Sequence, residues 1–316
     1  MYTSTDNGVL NPINWNQIDD PVDKVVWDRL VTNFWIDTKI PVSNDLDSWR
    51  KMIPEEQEAI KKVFVSLTLL DTLQSEIGAP QLQQWARTQH EAAVYNNIAF
   101  MESVHAKSYS TIFSTLCSTE EIDRLFRWAI TDERTQKQAK IIGDFYKGKD
   151  PSRAFAASVF LESFLFYTGF YAPLRLAAEG KLTNSADIIR LILRDEGVHG
   201  YYIGYKQQQF ENRAPEEEVR ETLMGLYETE LERVEDIYDP VGWTEDVKHY
   251  LRYNANKALA NLGYEPEFDP EDTQIPSYIL AALDPGTGES HDFFSGSGAS
   301  YVVGTAEETT EEDWDW

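Results

Sequence analysis

Apolar residues recur at spacings of three, four and seven through most of residues 22–262, the period of helices that each bury one stripe, and no alternating strand pattern competes with them. Pro54-Glu-Glu-Gln opens one helix with proline in its first turn and acids behind it; the helix should carry Asp71 and end near Gly78-Ala79-Pro80. A long run from about Arg87 to Cys117 follows. Ser118-Thr119-Glu120-Glu121 then offers capping chemistry for a helix continuing to about Tyr146, where Gly148 and Pro151 stop it. Further helices are predicted over 152–178, 184–211, 215–238 and 243–262, separated by Glu179-Gly180, Arg213-Ala214-Pro215 and Asp239-Pro240. Residues 1–20, polar and rich in Asn and Asp, read as an irregular arm, and 21–265 as a single all-α domain. From 266 to 316 the prolines at 266, 270, 276 and 285, the Gly-Thr-Gly and Ser-Gly-Ser-Gly runs and an acidic finish read as a mobile tail.

Four of the apolar stripes are interrupted by acids. One row reads Ile98, Glu102, His105, Tyr109, Ile112 and another Ile189, Ile192, Glu196, His199, Ile203; Asp71 follows Phe64 and Leu67, and Glu162 sits within Phe155, Val159, Phe166 and Phe170. Burying four carboxylates and two imidazoles among such neighbours is costly unless strong positive charge neutralises them, which two adjacent divalent ions would do. A single Glu-x-x-His is ordinarily a solvated polar pair on a surface helix. Two of them in a chain with 5 histidines, both on core stripes and joined by two further inward-facing acids, point to a dinuclear metal site. One acid from each of two helices plus Glu-x-x-His from each of two others is the known ligand arrangement of ferritin-like di-iron and di-manganese carboxylate proteins.

Composition narrows the function classes. With 42% hydrophobic and 13% aromatic residues the chain can bury a substantial core, and its 28 basic against 54 acidic residues give a formal charge of -26, which disfavours binding nucleic acid through phosphates. The acidity otherwise reads as solubility, as an acidic or salt-rich host, or as an acidic segment that docks on a basic partner. The single cysteine, Cys117, excludes an internal disulfide framework and fits a reducing compartment. No basic-then-apolar leader is recognised in Met1 to Asp20, and no run is read as approaching the roughly 18 apolar residues of a membrane span, so a cytoplasmic location is expected. Glu307 to Trp316 hold six acids together with Trp314 and Trp316, aromatics that suit an anchor for a partner better than a solvated end.

The segment Asn97-Ile-Ala-Phe-Met-Glu-Ser-Val-His-Ala-Lys-Ser-Tyr-Ser-Thr-Ile-Phe-Ser-Thr-Leu-Cys117 closely resembles the radical-generating small (beta) subunit of class Ib ribonucleotide reductase. The likeness continues in order through Asn33-Phe-Trp-Ile-Asp37, Leu67-Thr-Leu-Leu-Asp-Thr72, Arg194-Asp-Glu-Gly-Val-His199 and Ala299-Ser-Tyr-Val-Val-Gly304. It implies a ferritin-like helical bundle, a homodimer, and a dinuclear manganese or iron centre bound by Asp71, Glu102, His105, Glu162, Glu196 and His199 that oxidises Tyr109 to a stored radical. The stored equivalent would pass to a large (alpha) subunit that reduces ribonucleotides to deoxyribonucleotides, docked through the tail of this chain. On the same resemblance Phe166, Phe170 and Ile192 form an apolar sheath, Asp195 hydrogen-bonds His105, and Trp35 and Tyr301 are stations of the relay.

Read from the residues alone, Tyr109 lies one turn beyond His105 on the same face, as a core tyrosine bonded to a site carboxylate also would. Carboxylate and imidazole donors suit manganese and iron alike. In class Ib relatives, iron sites react with dioxygen directly, whereas manganese sites need an oxidant supplied by a flavodoxin-like activating protein. A related subclass keeps the oxidising equivalent on mixed-valent dimanganese without a tyrosyl radical. Other di-metal oxidases and storage proteins share the bundle, but would have no use for Trp35, Tyr109 and Tyr301 together.

Overall fold

Helix ends fall where side chains can satisfy the free amides of a first turn. In the computed structural model, which describes residues 5–6 and 9–283, α1 (Pro21–Thr32) begins with Pro21 behind Asp20, whose carboxylate accepts from the Val22 amide. Two short 3-10 turns and α2 (Leu46–Trp49) lead to α3 (Pro54–Leu73), which passes through a widened π-turn, Gln74–Gly78, into α4 (Ala79–Gln84). Next come α5 (Gln89–Leu116), capped by Thr88, and α6 (Thr119–Thr131), whose Ser118 and Glu121 form the expected reciprocal capping box. The order continues with α7 (Glu133–Lys147), α8 (Pro151–Phe160), a second π-turn at Leu161–Leu165, α9 (Phe166–Ala178) and α10 (Thr183–Gln208). Finally α11 (Glu216–Tyr238), α12 (Thr244–Asn261) and α13 (Ser277–Leu283) complete the described helices. The sole sheet among the described residues is a two-residue antiparallel pairing of Thr5–Asp6 with Val9–Leu10 in the amino-terminal arm.

Three boundaries differ from those expected. The chain does not stop at Gly78-Ala79-Pro80, because Pro80 falls in the first turn of α4, where a missing amide proton costs no helical bond. The helix expected to run from 119 to Tyr146 is two helices, since Asp132 turns to an extended ψ of 111° and caps α7 instead of extending α6. Beyond residue 265 the chain still makes packing contacts with the bundle as far as Ile279. The Phe268 ring lies 4.9 Å from that of Tyr227, Ile279 is buried, and Arg175 donates to the Tyr278 hydroxyl at 2.8 Å.

The bundle is formed by α3, α5, α10 and the continuous rod α8–α9; α3 touches α5 and α9, and α10 touches α5, α8 and α9. Gly169 brings α9 close onto α3, since a Cβ there would stand 2.7 Å from the Leu67 side chain. One expectation is corrected here. Pro151–Ala178 is long and apolar enough to cross a membrane, yet all of its most apolar window is buried inside the protein. Helices surrounded on every side lose the polar face that marks a surface helix, so composition does not separate the two cases.

The cap at Asp132 can be tested. Its carboxylate accepts from the Thr135 amide at 2.9 Å and the Thr135 hydroxyl at 2.8 Å. Asp132→Ala should lower stability by about 1 kcal/mol in a denaturant titration while leaving helix content near that of the parent.

Candidate metal centre

Each helix of the inner bundle delivers an acid to one volume. Asp71 comes from the last turn of α3, Glu102 and His105 from the middle of α5, Glu162 from the π-turn between α8 and α9, and Glu196 with His199 from α10. All six are buried, none more than 1% exposed. Their donor atoms form two groups, each within 4.8 Å: Asp71, Glu102 and His105 in one, Glu102, Glu162, Glu196 and His199 in the other. Glu102 belongs to both.

The imidazoles are aimed by their surroundings. His105 turns Nδ1 inward, 3.0 Å from Glu196 Oε1 and 3.7 Å from Glu102 Oε2, and Nε2 outward, 3.2 Å from Asp195 Oδ2. The same Asp195 oxygen accepts from Trp35 Nε1 at 2.7 Å, so one carboxylate atom joins an imidazole to a buried indole. The Trp35 and His105 rings lie 5.9 Å apart and nearly parallel, at 17°. His199 Nδ1 is 2.9 Å from Glu102 Oε1 and 3.5 Å from both Glu162 Oε2 and Glu196 Oε2.

The donor set fits divalent cations. Each of the six residues has at least one buried oxygen or nitrogen without a hydrogen-bond partner, including both oxygens of Glu102 and of Glu196 and both ring nitrogens of His199. A protein interior rarely leaves such atoms bare, and this concentration of electron pairs facing one another is what coordination would satisfy.

Without cations the charges adjust by proton uptake. Burial, then the charge of Glu102, pushes Asp71 and Glu196 well above the ordinary carboxylate range, whereas for Glu102 burial acts upward but the combined attraction of His105 and His199 outweighs it and holds the group low. Burial opposes protonation of the imidazoles too. For His105 the carboxylates of Asp195, Glu102 and Glu196 overcome it, and for His199 those of Glu102 and Glu162 push the ring up to about 10.

Tyr109 is fully buried one turn beyond His105, and its hydroxyl has no hydrogen-bond partner among the described residues. Burial, reinforced by Asp71, Glu196 and Glu102, pushes the phenol well above 10. The Phe64 ring packs 5.5 Å from it. Phe166, Phe170 and Ile192 are fully buried as well. Tyr301 lies outside the described residues.

Sequence reasoning missed Gln74, in the π-turn after Asp71, whose amide nitrogen donates to Glu162 Oε1 and, at 3.0 Å, to Ser158 Oγ. Its spacing of three from Asp71 was the available signal. Also missed was Lys257, which donates to the Tyr167 hydroxyl at 2.7 Å and whose amine burial pushes down to about 8 against the pull of Glu196.

The family model for ribonucleotide reductase, small chain, matches residues 12–276. The chain is 54% identical to "Ribonucleoside-diphosphate reductase subunit beta nrdF1" of Mycobacterium tuberculosis (strain CDC 1551 / Oshkosh) over 97% of its own length and 98% of that protein. Against "Ribonucleoside-diphosphate reductase 2 subunit beta" of Escherichia coli (strain K12) the identity is 52%, over 97% of this chain and 98% of the relative. Among solved structures, the crystal structure of Streptococcus sanguinis dimanganese(II)-NrdF superposes with a TM-score of 0.83 at 51% identity, covering 87% of this chain and 100% of that one. With its all-α ferritin-like bundle and buried carboxylate–histidine core, the chain belongs to the small-chain family of ribonucleotide reductase, as a class Ib ribonucleoside-diphosphate reductase beta subunit.

Proposed function

We propose that Asp71, Glu102, His105, Glu162, Glu196 and His199 hold two manganese or iron ions, and that Tyr109 stores the oxidising equivalent as a tyrosyl radical. The observation that carries this reading is the sharing of Glu102 between two donor groups, with Tyr109 one helical turn away on α5. Bound there and first oxidised by an external oxidant, the ions would supply the oxidising power to take an electron from the phenol. Because the phenol of Tyr109 is held protonated, its proton must leave with that electron. Phe64, Phe166, Phe170 and Ile192 keep water and reductants from the ring.

The equivalent would leave through the His105–Asp195–Trp35 contacts, in which Asp195 Oδ2 meets both Nε2 of the imidazole and Nε1 of the indole. Tyr301 would be the next station, on the part of the carboxy-terminal segment after Leu283, which would dock on the large subunit, and the helical unit would pair as a homodimer. A manganese form would take its oxidant from a flavodoxin-like activating protein. A cytoplasmic setting suits Cys117, whose half-buried thiol is pushed up to about 11 and so stays protonated. Neither nucleic acid nor a membrane is a proposed partner.

Three outcomes are expected. Metal uptake should release protons, because the imidazoles are held protonated in the metal-free site and must lose those protons to bind. Affinity should therefore rise with pH between about 6 and 9, roughly tenfold per unit for each proton displaced. Calorimetric titrations in buffers of different ionisation enthalpy would read this, and a pH-independent affinity would contradict it. After loading and activation, electron paramagnetic resonance should show an organic radical in the parent that is absent from Tyr109→Phe at equal metal content; an unchanged radical in the variant would remove Tyr109 from its role. Deleting residues 306–316 should abolish binding to the large subunit without changing metal content, measured by co-sedimentation and metal analysis.

A further inference from the structure

Glu162 reaches the cluster from a π-turn, a widened stretch of helix that shifts the register of its face. Its two oxygens are in different situations. Oε1 accepts from the Gln74 amide, while Oε2 has no partner and lies 3.5 Å from His199 Nδ1. The amide is itself locked. Its nitrogen donates to Glu162 Oε1 and to Ser158 Oγ at 3.0 Å, and its oxygen accepts from the Tyr146 hydroxyl at 2.6 Å. Turning the amide over would set its oxygen against the Glu162 carboxylate and lose that charge-assisted bond, which favours the present orientation.

Gly78 closes the arrangement. A Cβ at that position would overlap Gln74 Oε1 and stand 2.7 and 2.8 Å from the Tyr146 ring. Its φ of -63° is ordinary helical backbone, so conformational freedom does not explain a glycine there. Glycine inside helical structure is about 1 kcal/mol less favourable than alanine. The space it leaves is filled by the two side chains that hold Glu162.

We propose that Gln74, fixed by Tyr146 and by the space at Gly78, is a positioning residue that ties down one oxygen of Glu162 so that only the other is offered to the ion shared with His199. This rests on the reading of the six residues as metal ligands. An ion chelated through both oxygens would have to share Oε1 with the Gln74 amide, so the tie favours binding through Oε2 and tunes the affinity of one site of the two. The group formed by Asp71, Glu102 and His105 does not depend on it.

The test is a Mn(II) titration of the full chain, followed by metal analysis and by electron paramagnetic resonance of free and bound ion. Gln74→Leu, close in volume and lacking the donor, should weaken one of the two ions by roughly 10- to 100-fold and leave the other within a factor of about three. At two equivalents, with the free ion held below the weakened dissociation constant, it should therefore show the signal of an isolated Mn(II) where the parent shows coupled pairs. Gly78→Ala, which displaces Gln74 without altering its chemistry, should give the same selective loss, and Tyr146→Phe, which removes one hydroxyl and keeps the ring, a smaller one. Wild-type affinities and spectra in all three variants would overturn the proposal. So would equal weakening at both sites accompanied by a lower melting temperature of the metal-free protein, which is the mark of a general packing role. A parent chain that takes up no metal pair would instead bring down the reading of the six residues, and the two failures are told apart by the parent titration alone.

Discussion

Desolvating four carboxylates and two imidazoles in one helical interior is the constraint around which the rest of this bundle is arranged. Taking a carboxylate out of water costs several kcal/mol even after relaxation, so these groups persist only where protons or cations compensate. Protons are the first remedy: burial and the charge of Glu102 raise Asp71 and Glu196 toward the neutral acid, and the surrounding carboxylates raise both imidazoles toward the cation. That remedy is conditional on pH and leaves donor atoms facing one another without hydrogen bonds. Two divalent ions answer both problems at once, which is why the donor geometry is a stronger guide to chemistry than any one residue in it.

The same constraint accounts for where the helices depart from regularity. Glu102 and Glu196 each enter with a histidine three residues on, and α5 and α10 carry them without interruption. Asp71 and Glu162 enter alone, and both are attended by π-turns, one starting three residues after Asp71 and one containing Glu162. A widened turn shifts the register of one helix face, and the two shifted segments meet through the Gln74–Glu162 bond. Local backbone stability is given up where a lone acid must be aimed.

Much of this was legible in the chain because it rests on local periodicity. The two Glu-x-x-His rows, the acids at 71 and 162 and the Ser118 capping box follow from spacings of three and four, and all sit where those spacings place them. What escaped depends on contacts between distant segments. The break at Asp132 is an extended ψ that a continuous apolar stripe does not announce. The apolar length of Pro151–Ala178 went unrecognised as membrane-like, and its most apolar window is buried entirely within the protein. Residues 266–283 look like a tail by composition, yet Tyr278 and Ile279 pack on the bundle. Trp35, Asp195 and His105 are brought together across the whole fold. No pattern in a single chain encodes that meeting, and only resemblance to a family suggested it.

A stored oxidant and an exit for it place opposite demands on the surrounding protein. Insulation asks for apolar surroundings, and Tyr109 is fully buried with the Phe64 ring at 5.5 Å and no hydrogen-bond partner for its hydroxyl among the described residues. Transfer asks for groups that can share a proton, and these lie on the opposite edge of His105, where Nε2, Asp195 Oδ2 and Trp35 Nε1 meet within 3.2 Å. The histidine therefore divides the two requirements, with one ring nitrogen facing the carboxylate cluster and the other facing the proposed route out. Trp35 is itself 1% exposed, and Arg194, the neighbour of Asp195, donates to the carbonyl of Asn33 two residues before it. The segment that carries the indole is thus pinned to the same helix that carries Glu196 and His199, so any movement of α10 that altered the cluster would also move the first station of the proposed relay.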